Sequence, residues 1–171
     1  MKVEKATEAD IPALNALTHS CYRGQESFQG WTSEANMLDG NRTTPERLLR
    51  EMGNPDITFL KGLNESGEMI ACCLTHKQGN SIFTGMLCVR PHLQGTGLGK
   101  EMMAAVATMA KSLGCTNLKI EVITHRKELV EWYERQGFRP TGKSTPFPEP
   151  TIEFGIPKLD LVLMEMSKEL L

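Results

Sequence analysis

The sequence predicts an α+β fold, a mixed α/β sheet flanked by helices. Two observations lead to this prediction. Three consecutive strand segments joined by short turns form an antiparallel meander, and the third leads into a strand, glycine-rich turn, helix and strand, an order that requires parallel strands. A length of 171 residues with 40% apolar residues suits a single domain over 1–171.

Apolar spacing, turn residues and capping signals predict the elements in chain order. The first part of the chain is predicted to form a strand over 3–7, a helix over 8–20, a loop over 22–43 and a helix from 45 to 53. Strands over 57–63, 69–75 and 82–89 follow, and then a helix over 98–113, a strand over 118–123 and a helix over 126–136. Two last strands, from 138 and over 159–166, stand on either side of a proline-rich segment at 146–157.

Helix signals are clear in the first third of the chain. Thr7 and Asp10 match a capping box, and apolar residues from Ile11 onward recur at helical spacing. Pro45 stands at the first position of the second helix, and Gly53 is a suitable stop. The polar stretch between these helices is long enough to predict a functional loop.

Turn residues separate the strands of the meander. The segments 64–67 and 78–80 read as turns, and the strand over 82–89 is the most apolar of the three. Beyond it, apolar residues at spacings of four and three give the helix over 98–113 one apolar face, and Gly114 ends that helix. Gly137 closes the next helix in the same way.

Composition excludes several classes of protein. Nineteen basic and 21 acidic residues give a net charge of −2, which argues against binding nucleic acid or a membrane surface through a basic patch. No apolar run is long enough for a membrane span, and no signal peptide is recognisable, so we expect a cytoplasmic protein. The five cysteines lack zinc spacing, which predicts reduced, mostly buried thiols and no metal site.

The segment that carries chemistry is the turn Gln94-Gly95-Thr96-Gly97-Leu98-Gly99-Lys100, between a strand and a helix. Glycines allow a ligand to approach the backbone closely, and a helix start adds free N–H groups with a partial positive charge. The turn therefore predicts a phosphate or diphosphate site, to which Lys100 adds a cation.

Three motifs compete for this turn. A dinucleotide fingerprint fails by one residue because Lys100 takes the third glycine position, although Glu121 stands where a ribose-binding acid is expected. A phosphate-binding P-loop fails because Gln94 and Glu101 replace its first glycine and its hydroxyl residue. The third motif, Q-x-x-G-x-G after a Val-Arg-Pro strand end, is satisfied.

In order and spacing, three segments resemble the cofactor segments of the GNAT superfamily of N-acetyltransferases: Leu87–Pro91, Gln94–Gly99 and Trp132–Phe138. The resemblance covers most of the chain. It implies acetyl-CoA as the cofactor, with its pantetheine arm in a gap between two parallel strands. It further implies that Leu87, Cys88 and Val89 offer backbone partners to that arm, that the Val89 N–H polarises the acetyl carbonyl, and that the amides of Gln94, Gly95, Thr96, Gly97, Leu98, Gly99 and Lys100 hold the diphosphate.

The resemblance also assigns catalytic candidates. Tyr133 matches the tyrosine that meets the departing sulfur; packing in the core is the alternative for it. Cys88 has no need to be a nucleophile. Glu121 is on the strand expected to carry a base but alternatively faces away. Arg126, where many members have Asn, contacts cofactor phosphate or acceptor carboxylate, or is solvated.

Acceptor specificity is expected in the loop over 22–43. There Trp31 is expected to stack on an acceptor, Glu34 to hold its ammonium and Arg42 a carboxylate, with Phe147 as the opposite wall. The alternative is a loop held in place by its own tryptophan.

The implied activity is direct transfer of acetyl from acetyl-CoA to a primary amine of a small molecule or peptide, and a homodimer is the family-level expectation. A non-catalytic acyl-CoA-binding or regulatory module of the same fold is the alternative, although a pure binder has no need of Tyr133.

Overall fold

The computed structural model covers residues 1–171, and most of its strands join one seven-stranded sheet in the order β1-β3-β4-β5-β6-β9-β7. These strands are β1 (Lys2–Lys5), β3 (Ile57–Leu63), β4 (Met69–Gln78), β5 (Ser81–Val89), β6 (Asn117–Ile123), β7 (Arg139–Pro146) and β9 (Val162–Glu169). Two short strands, β2 (Leu38–Asp39) and β8 (Ile156–Pro157), pair separately. The α-helices are α1 (Ile11–Tyr22), α2 (Pro45–Met52), α3 (Leu98–Ser112) and α4 (Lys127–Arg135).

The predicted α+β architecture is confirmed. The strands β3, β4 and β5 form the antiparallel meander, and β5 pairs in parallel with β6. The Thr7 N–H donates to the Asp10 carboxylate at 2.8 Å, as the capping pattern predicts. No helix combines the length with the apolar character that spanning a membrane requires.

The C-terminal strands differ from the prediction in their bounds and their order. The strand expected over 159–166 occupies 162–169 and inserts between β6 and β7. The loop over 22–43 contains β2, which pairs with β8 of the proline-rich segment through Leu38 and Pro157. Pairing between strands that are not neighbours in the sequence leaves no local signal, so neither feature could be inferred from spacing.

The two faces of the sheet bury separate cores. One core lies under α3 and α4, and the other lies under α1 and α2. Along β4, Cys73 belongs to the first core and Cys72 to the second, as strand alternation predicts. All five cysteines are buried and free of disulfides.

A β-bulge in β5 separates it from β6. In the register with β4, Cys72 pairs with Cys88 but Leu74 pairs with Gly85, so β5 carries one extra residue over this interval. Met86, within it, has a φ of 50°. Bulges bend a strand and increase its twist. Pairing with β6 accordingly stops at Thr84, although β6 stays paired with β9 up to its end at Ile123.

The first prediction concerns the core under the paired part of β5 and β6. Leu118 of β6 is 2% exposed, and Leu113 at the end of α3 is 46% exposed. We expect Leu118→Ala to lower the free energy of unfolding by about 2–5 kcal/mol, because it leaves a cavity in the core. Leu113→Ala should change it by no more than about 0.5 kcal/mol. Urea titration measures both, and equal losses would contradict the assignment of the core.

Candidate active site

Backbone groups of β5 face the gap left by β6. The Arg90 N–H donates to the Ile70 carbonyl of β4 at 2.9 Å. Because the direction of backbone groups alternates along a strand, those of Leu87 and Val89 point away from β4, toward the gap. The gap is therefore edged by N–H groups that no neighbouring strand uses.

The same alternation removes Cys88 from the gap. Its backbone faces β4, where it pairs with Cys72, and its Sγ lies 3.9 Å from Thr18 Oγ1 in the core under α1. Burial raises the pKa of its thiol, which stays protonated. The expectation that Cys88 pairs with a cofactor arm is wrong, because only alternate residues of a strand face one side.

The turn after β5 presents six consecutive backbone N–H groups, from Gly95 to Lys100, with no acceptor in the protein. The first hydrogen bond of α3 is donated by Glu101 to Gly97 O at 3.0 Å, so the amides ahead of it stay free. Gly95 and Gly97 have φ values of 80° and 95°, in the left-handed region. Free amides at a helix start make an anion site.

These amides open onto a groove of about 410 Å³. Its walls include Val89 of β5, the exposed Lys100, and Trp132 and Arg135 of α4. A Cβ at Gly99 would stand 3.4 Å from the Trp132 ring, so the glycine lets α3 approach α4 closely. Two cations and six amides therefore suit the groove to a diphosphate.

Gln94 supports the turn instead of joining its amide row. Its N–H donates to Pro91 O at 3.3 Å, and its side-chain amide donates to Val89 O at 3.2 Å. Its Oε1 accepts from the Thr32 N–H at 3.2 Å. The expected row over 94–100 therefore begins at Gly95. Along that row the Thr96 hydroxyl is used locally, donating to the Leu93 carbonyl at 2.6 Å.

Leu98 offers the groove only its amide. Its side chain lies on the opposite side of the turn, near Met1 and Leu63. From the sequence, only the backbone amide of Leu98 is assigned to the diphosphate site, and the position of its side chain does not affect that expectation.

A cavity of about 320 Å³ adjoins the groove, and Leu87 and Leu129 line both spaces. Its wall includes the ends of β5 and β6 that face the gap. Charged and aromatic side chains make up much of the rest: Tyr22, Arg23, Glu34, Arg42, Arg47, Glu51, Phe83, Glu121, Arg126, Tyr133, Phe147 and Phe154. The groove and the cavity therefore meet beside the gap.

Tyr133 lines the cavity and also packs in the core. It is 7% exposed and makes edge-to-face contacts with Trp132 and Phe138, at ring separations of 4.9 and 5.5 Å. Its hydroxyl makes no hydrogen bond within the protein. Burial raises the pKa of this hydroxyl and Arg126 only partly opposes the rise, so it remains a proton-bearing donor at neutral pH.

A buried ion cluster ties the loop over 22–43 to α4. Glu34, 4% exposed, pairs with Arg23 and, at 3.2 Å, with Arg126. The Arg126 guanidinium also donates to the Thr32 hydroxyl at 2.7 Å, and that hydroxyl donates to Glu128 at 2.9 Å. The cluster holds this loop across the junction of groove and cavity.

This cluster corrects two expectations. Glu34 is not a free carboxylate for an acceptor ammonium, because each of its oxygens is paired with an arginine. Arg126 is neither solvated nor part of the groove that offers the diphosphate site; it is 6% exposed and lines the cavity.

Comparison with known families identifies the arrangement. The family model described as the acetyltransferase (GNAT) family matches residues 19–138, more than two thirds of the chain. The chain belongs to the GNAT acetyltransferase family. No curated protein sequence matches it.

Solved GNAT structures share the fold. The ribosomal-protein-S18-alanine N-acetyltransferase from Escherichia coli matches with a TM-score of 0.74 at 14% identity, covering 99% of this chain and 93% of that chain. A ribosomal-protein-alanine N-acetyltransferase from Brucella melitensis gives 0.72 at 19%, covering 99% and 100%. A chimeric spermidine N-acetyltransferase from Vibrio cholerae gives 0.70 at 12%, covering 99% and 96%. Sequence identities this low indicate a shared fold but do not indicate a shared substrate.

In this GNAT chain Trp31 lies on the groove side of the junction. The contact between Thr32 and Gln94 draws it to the amide turn, and it lines the groove and not the cavity. The expectation that Trp31 stacks on an acceptor stays a prediction; the structure shows that Trp31 lines the groove beside the amide turn.

Arg42 and Phe147 both line the cavity, where an acceptor-binding role requires them to be. The Arg42 guanidinium stands over the rings of Tyr22 and Phe154, at 5.3 and 5.2 Å from their centroids. Phe147 packs against Phe154 at a ring separation of 5.4 Å.

Glu121 also lines the cavity. It lies opposite Glu165 of β9, and its partial burial together with that like charge raises the pKa of its carboxyl group. His92 and His125 are exposed and line neither space.

Sequence reasoning missed several residues of the cavity. The helix α1 extends to Tyr22, whose hydroxyl donates to Leu87 O at 2.9 Å. Arg23 donates to Phe154 O at 3.2 Å, across 131 positions of sequence. The aromatic and basic character of residues 22–23 was visible, but nothing local indicated Phe154 as a partner.

The amide turn sets the second prediction. Gly97→Ala should lower stability by about 1–2 kcal/mol, because an L side chain at this φ is strained, and should weaken coenzyme A binding at least tenfold. Gly67→Ala is the matched control, since Gly67 has a φ of 78° and equally open surroundings in the turn after β3. It should lose similar stability without losing coenzyme A affinity in calorimetry. Equal weakening by both variants would contradict the site.

Glu121 sets the third prediction. Its folded-state pKa is raised, so its favourable contribution exists below the unfolded pKa of about 4.3 and is lost as pH rises through the folded value. Glu121→Gln should therefore stabilise the protein by less than about 1 kcal/mol at pH 7, and the gain should vanish near pH 3. Thermal melts across pH measure this. A gain confined to low pH would refute the prediction.

Proposed function

We propose that this protein is an acetyl-CoA-dependent N-acetyltransferase that transfers acetyl directly to a primary amine of a small molecule or peptide. The proposal rests mainly on one observation. Six amides without an acceptor, Gly95–Lys100, lie at a groove that meets the cavity bearing Tyr133 beside the gap between two parallel strands.

The residues present fit acetyl-CoA. The amide row and Lys100 suit its diphosphate, and the gap beside β5 suits its extended arm, which can accept hydrogen bonds from the free N–H groups of Leu87 and Val89. When bound, acetyl-CoA supplies an acetyl group activated as a thioester.

Val89 supplies the electrophilic assistance. Its N–H points into the gap, where it can hydrogen-bond to the acetyl oxygen as negative charge develops there. A fixed N–H in a site that excludes water stabilises such charge without reorganisation. This role falls to the backbone, so it does not depend on the identity of the side chain.

Tyr133 supplies a hydrogen bond to the departing sulfur. Because burial raises its pKa, complete proton transfer to a thiolate is unfavourable, and the neutral hydroxyl acts as a donor. Over the whole reaction a C–N bond forms and the C–S bond breaks; the acceptor nitrogen releases a proton and the sulfur takes one.

Glu121 is the candidate to receive the proton of the acceptor. Its carboxyl lines the cavity, and its raised pKa brings it closer to neutral pH, which suits a general base. An α-amine, partly neutral at pH 7, needs this help less than a lysine-type amine does.

Five buried cysteines without a disulfide suit a reducing compartment. We therefore place the enzyme in the cytoplasm.

Release of coenzyme A thiol tests the activity. The purified protein with acetyl-CoA and a panel of amines should release free thiol in proportion to the acetylated amine. Tight binding of acetyl-CoA without release for any amine would favour the alternative, a non-catalytic acyl-CoA-binding module.

The role of Tyr133 sets the fourth prediction. Tyr133→Phe keeps the packing of the ring and removes the donor, so kcat should fall about 100-fold. The Kd for acetyl-CoA in calorimetry should stay within about twofold, because the hydroxyl acts after the cofactor binds. Equal losses in turnover and affinity would assign Tyr133 a packing role only.

A further inference from the structure

The cavity wall holds more positive than negative charge around one carboxylate. Arg23 and Arg126 share Glu34 as their counter-ion. Arg47 has a counter-ion of its own, Glu51, at 3.1 Å. The region around Glu34 therefore keeps an uncompensated positive charge.

Arg42 adds to this excess. It makes no ion pair or hydrogen bond within the protein and is held by its contacts with the rings of Tyr22 and Phe154. The Arg126 guanidinium lies 6.0 Å from the centroid of the same Tyr22 ring. Aromatic contacts position the Arg42 guanidinium and leave its donors free, which suits a planar anion such as a carboxylate.

Polar atoms without partners are concentrated in the same wall. Five buried side-chain nitrogen or oxygen atoms have no hydrogen-bond partner, and four of them belong to residues that line this cavity: Arg23 Nε, Glu51 Oε2, Thr84 Oγ1 and Arg126 Nε. Buried polar groups nearly always have partners in native proteins. These four atoms are themselves buried, so the unpaired donors that a ligand in the cavity can reach are those of Arg42.

The cavity wall also holds a negative charge without a cationic partner, that of Glu121. Glu121 lines the cavity on β6, the strand beside the gap. An ammonium group is the complement of this carboxylate, as a carboxylate is the complement of Arg42. The cavity thus carries free charge of both signs, with the positive sign in excess, and a zwitterion can complement both.

From these charges we propose that the acceptor is an amine that also carries a carboxylate, the chemistry of a free amino acid. Its carboxylate is bound by Arg42, with Arg23 and Arg126 nearby, and its amino group lies toward Glu121 and the gap. A volume of about 320 Å³ suits such a small molecule, and Phe83, Phe147 and Phe154 offer its side chain an apolar wall. The proposal rests on the proposed acetyltransferase activity.

The same charges disfavour a polyamine. A second ammonium beside Arg42 would face a cation without a counter-ion, in a site where like charges repel strongly. A site for an amino acid and a site for a polyamine therefore predict opposite results: adding a carboxylate to an amine should improve it as an acceptor in the first case and weaken it in the second.

Matched acceptor pairs test the proposal. Leucine and isoamylamine, and phenylalanine and phenethylamine, differ only by the carboxylate. In the thiol-release assay we expect the amino acid of each pair to have the higher kcat/KM, by about 10- to 100-fold. Equal values, or a preference for the decarboxylated amine, would overturn the proposal.

Substitution of Arg42 tests whether this residue causes the preference for an acceptor with a carboxylate. Arg42→Met should reduce the ratio within each pair to near one, because the amino acid loses far more kcat/KM than the amine does, and Arg42→Lys should restore part of the ratio. Arg50→Met is the matched control, because Arg50 is exposed on α2 and lies outside the cavity. Loss of the preference in that control, or its survival in Arg42→Met, would refute the assignment.

A binding measurement separates this proposal from the activity on which it rests. If no amine of the panel releases thiol, the proposed activity fails. Calorimetry of leucine and isoamylamine with the protein saturated in coenzyme A still tests the site. Leucine binding that is tighter than isoamylamine binding and lost in Arg42→Met would support the carboxylate site; no difference between the two would reject it.

Discussion

The separation of β5 from β6 is the constraint on which the rest of the site depends. Their pairing ends at Thr84 and Ile120, and the bulge around Met86 directs β5 away while β6 stays paired on its other edge. A closed parallel ladder would use the backbone groups of Leu87 and Val89 and fill the space between the strands. Because the ladder opens, the groove of the amide turn and the arginine-lined cavity meet at one place, where a thioester and an amine can be brought together.

Buried charge holds the second half of the site in place. The loop over 22–43 has little regular structure, yet Glu34 anchors it between two arginines and Thr32 links it to both Gln94 and Arg126. Removing one partner from such a cluster leaves an uncompensated buried charge, so its members depend on one another. The loop can therefore form walls for the groove and the cavity alike, although its composition resembles that of a mobile segment.

Sequence reasoning was most successful where a feature depends on neighbouring residues. The free amides of Gly95–Lys100 follow from glycines at a strand-to-helix junction, and the motif around Tyr133 singled out a residue that lines the cavity. It was wrong about Glu34 as a free carboxylate, because both of its oxygens are paired with arginines. It was also wrong for Cys88, because the direction of a backbone group depends on which strand lies on which side.

The sequence by itself determined the four α-helices, the meander, the parallel unit and the free amides after β5, because each depends on periodicity, turn residues or caps within a few positions. The tertiary structure alone decided that β9 inserts beside β6, that Arg23 meets Phe154, and that Arg42 has no counter-ion. Those outcomes depend on segments far apart in the chain packing side by side. Burial then decides which charges find partners and which remain free for a ligand.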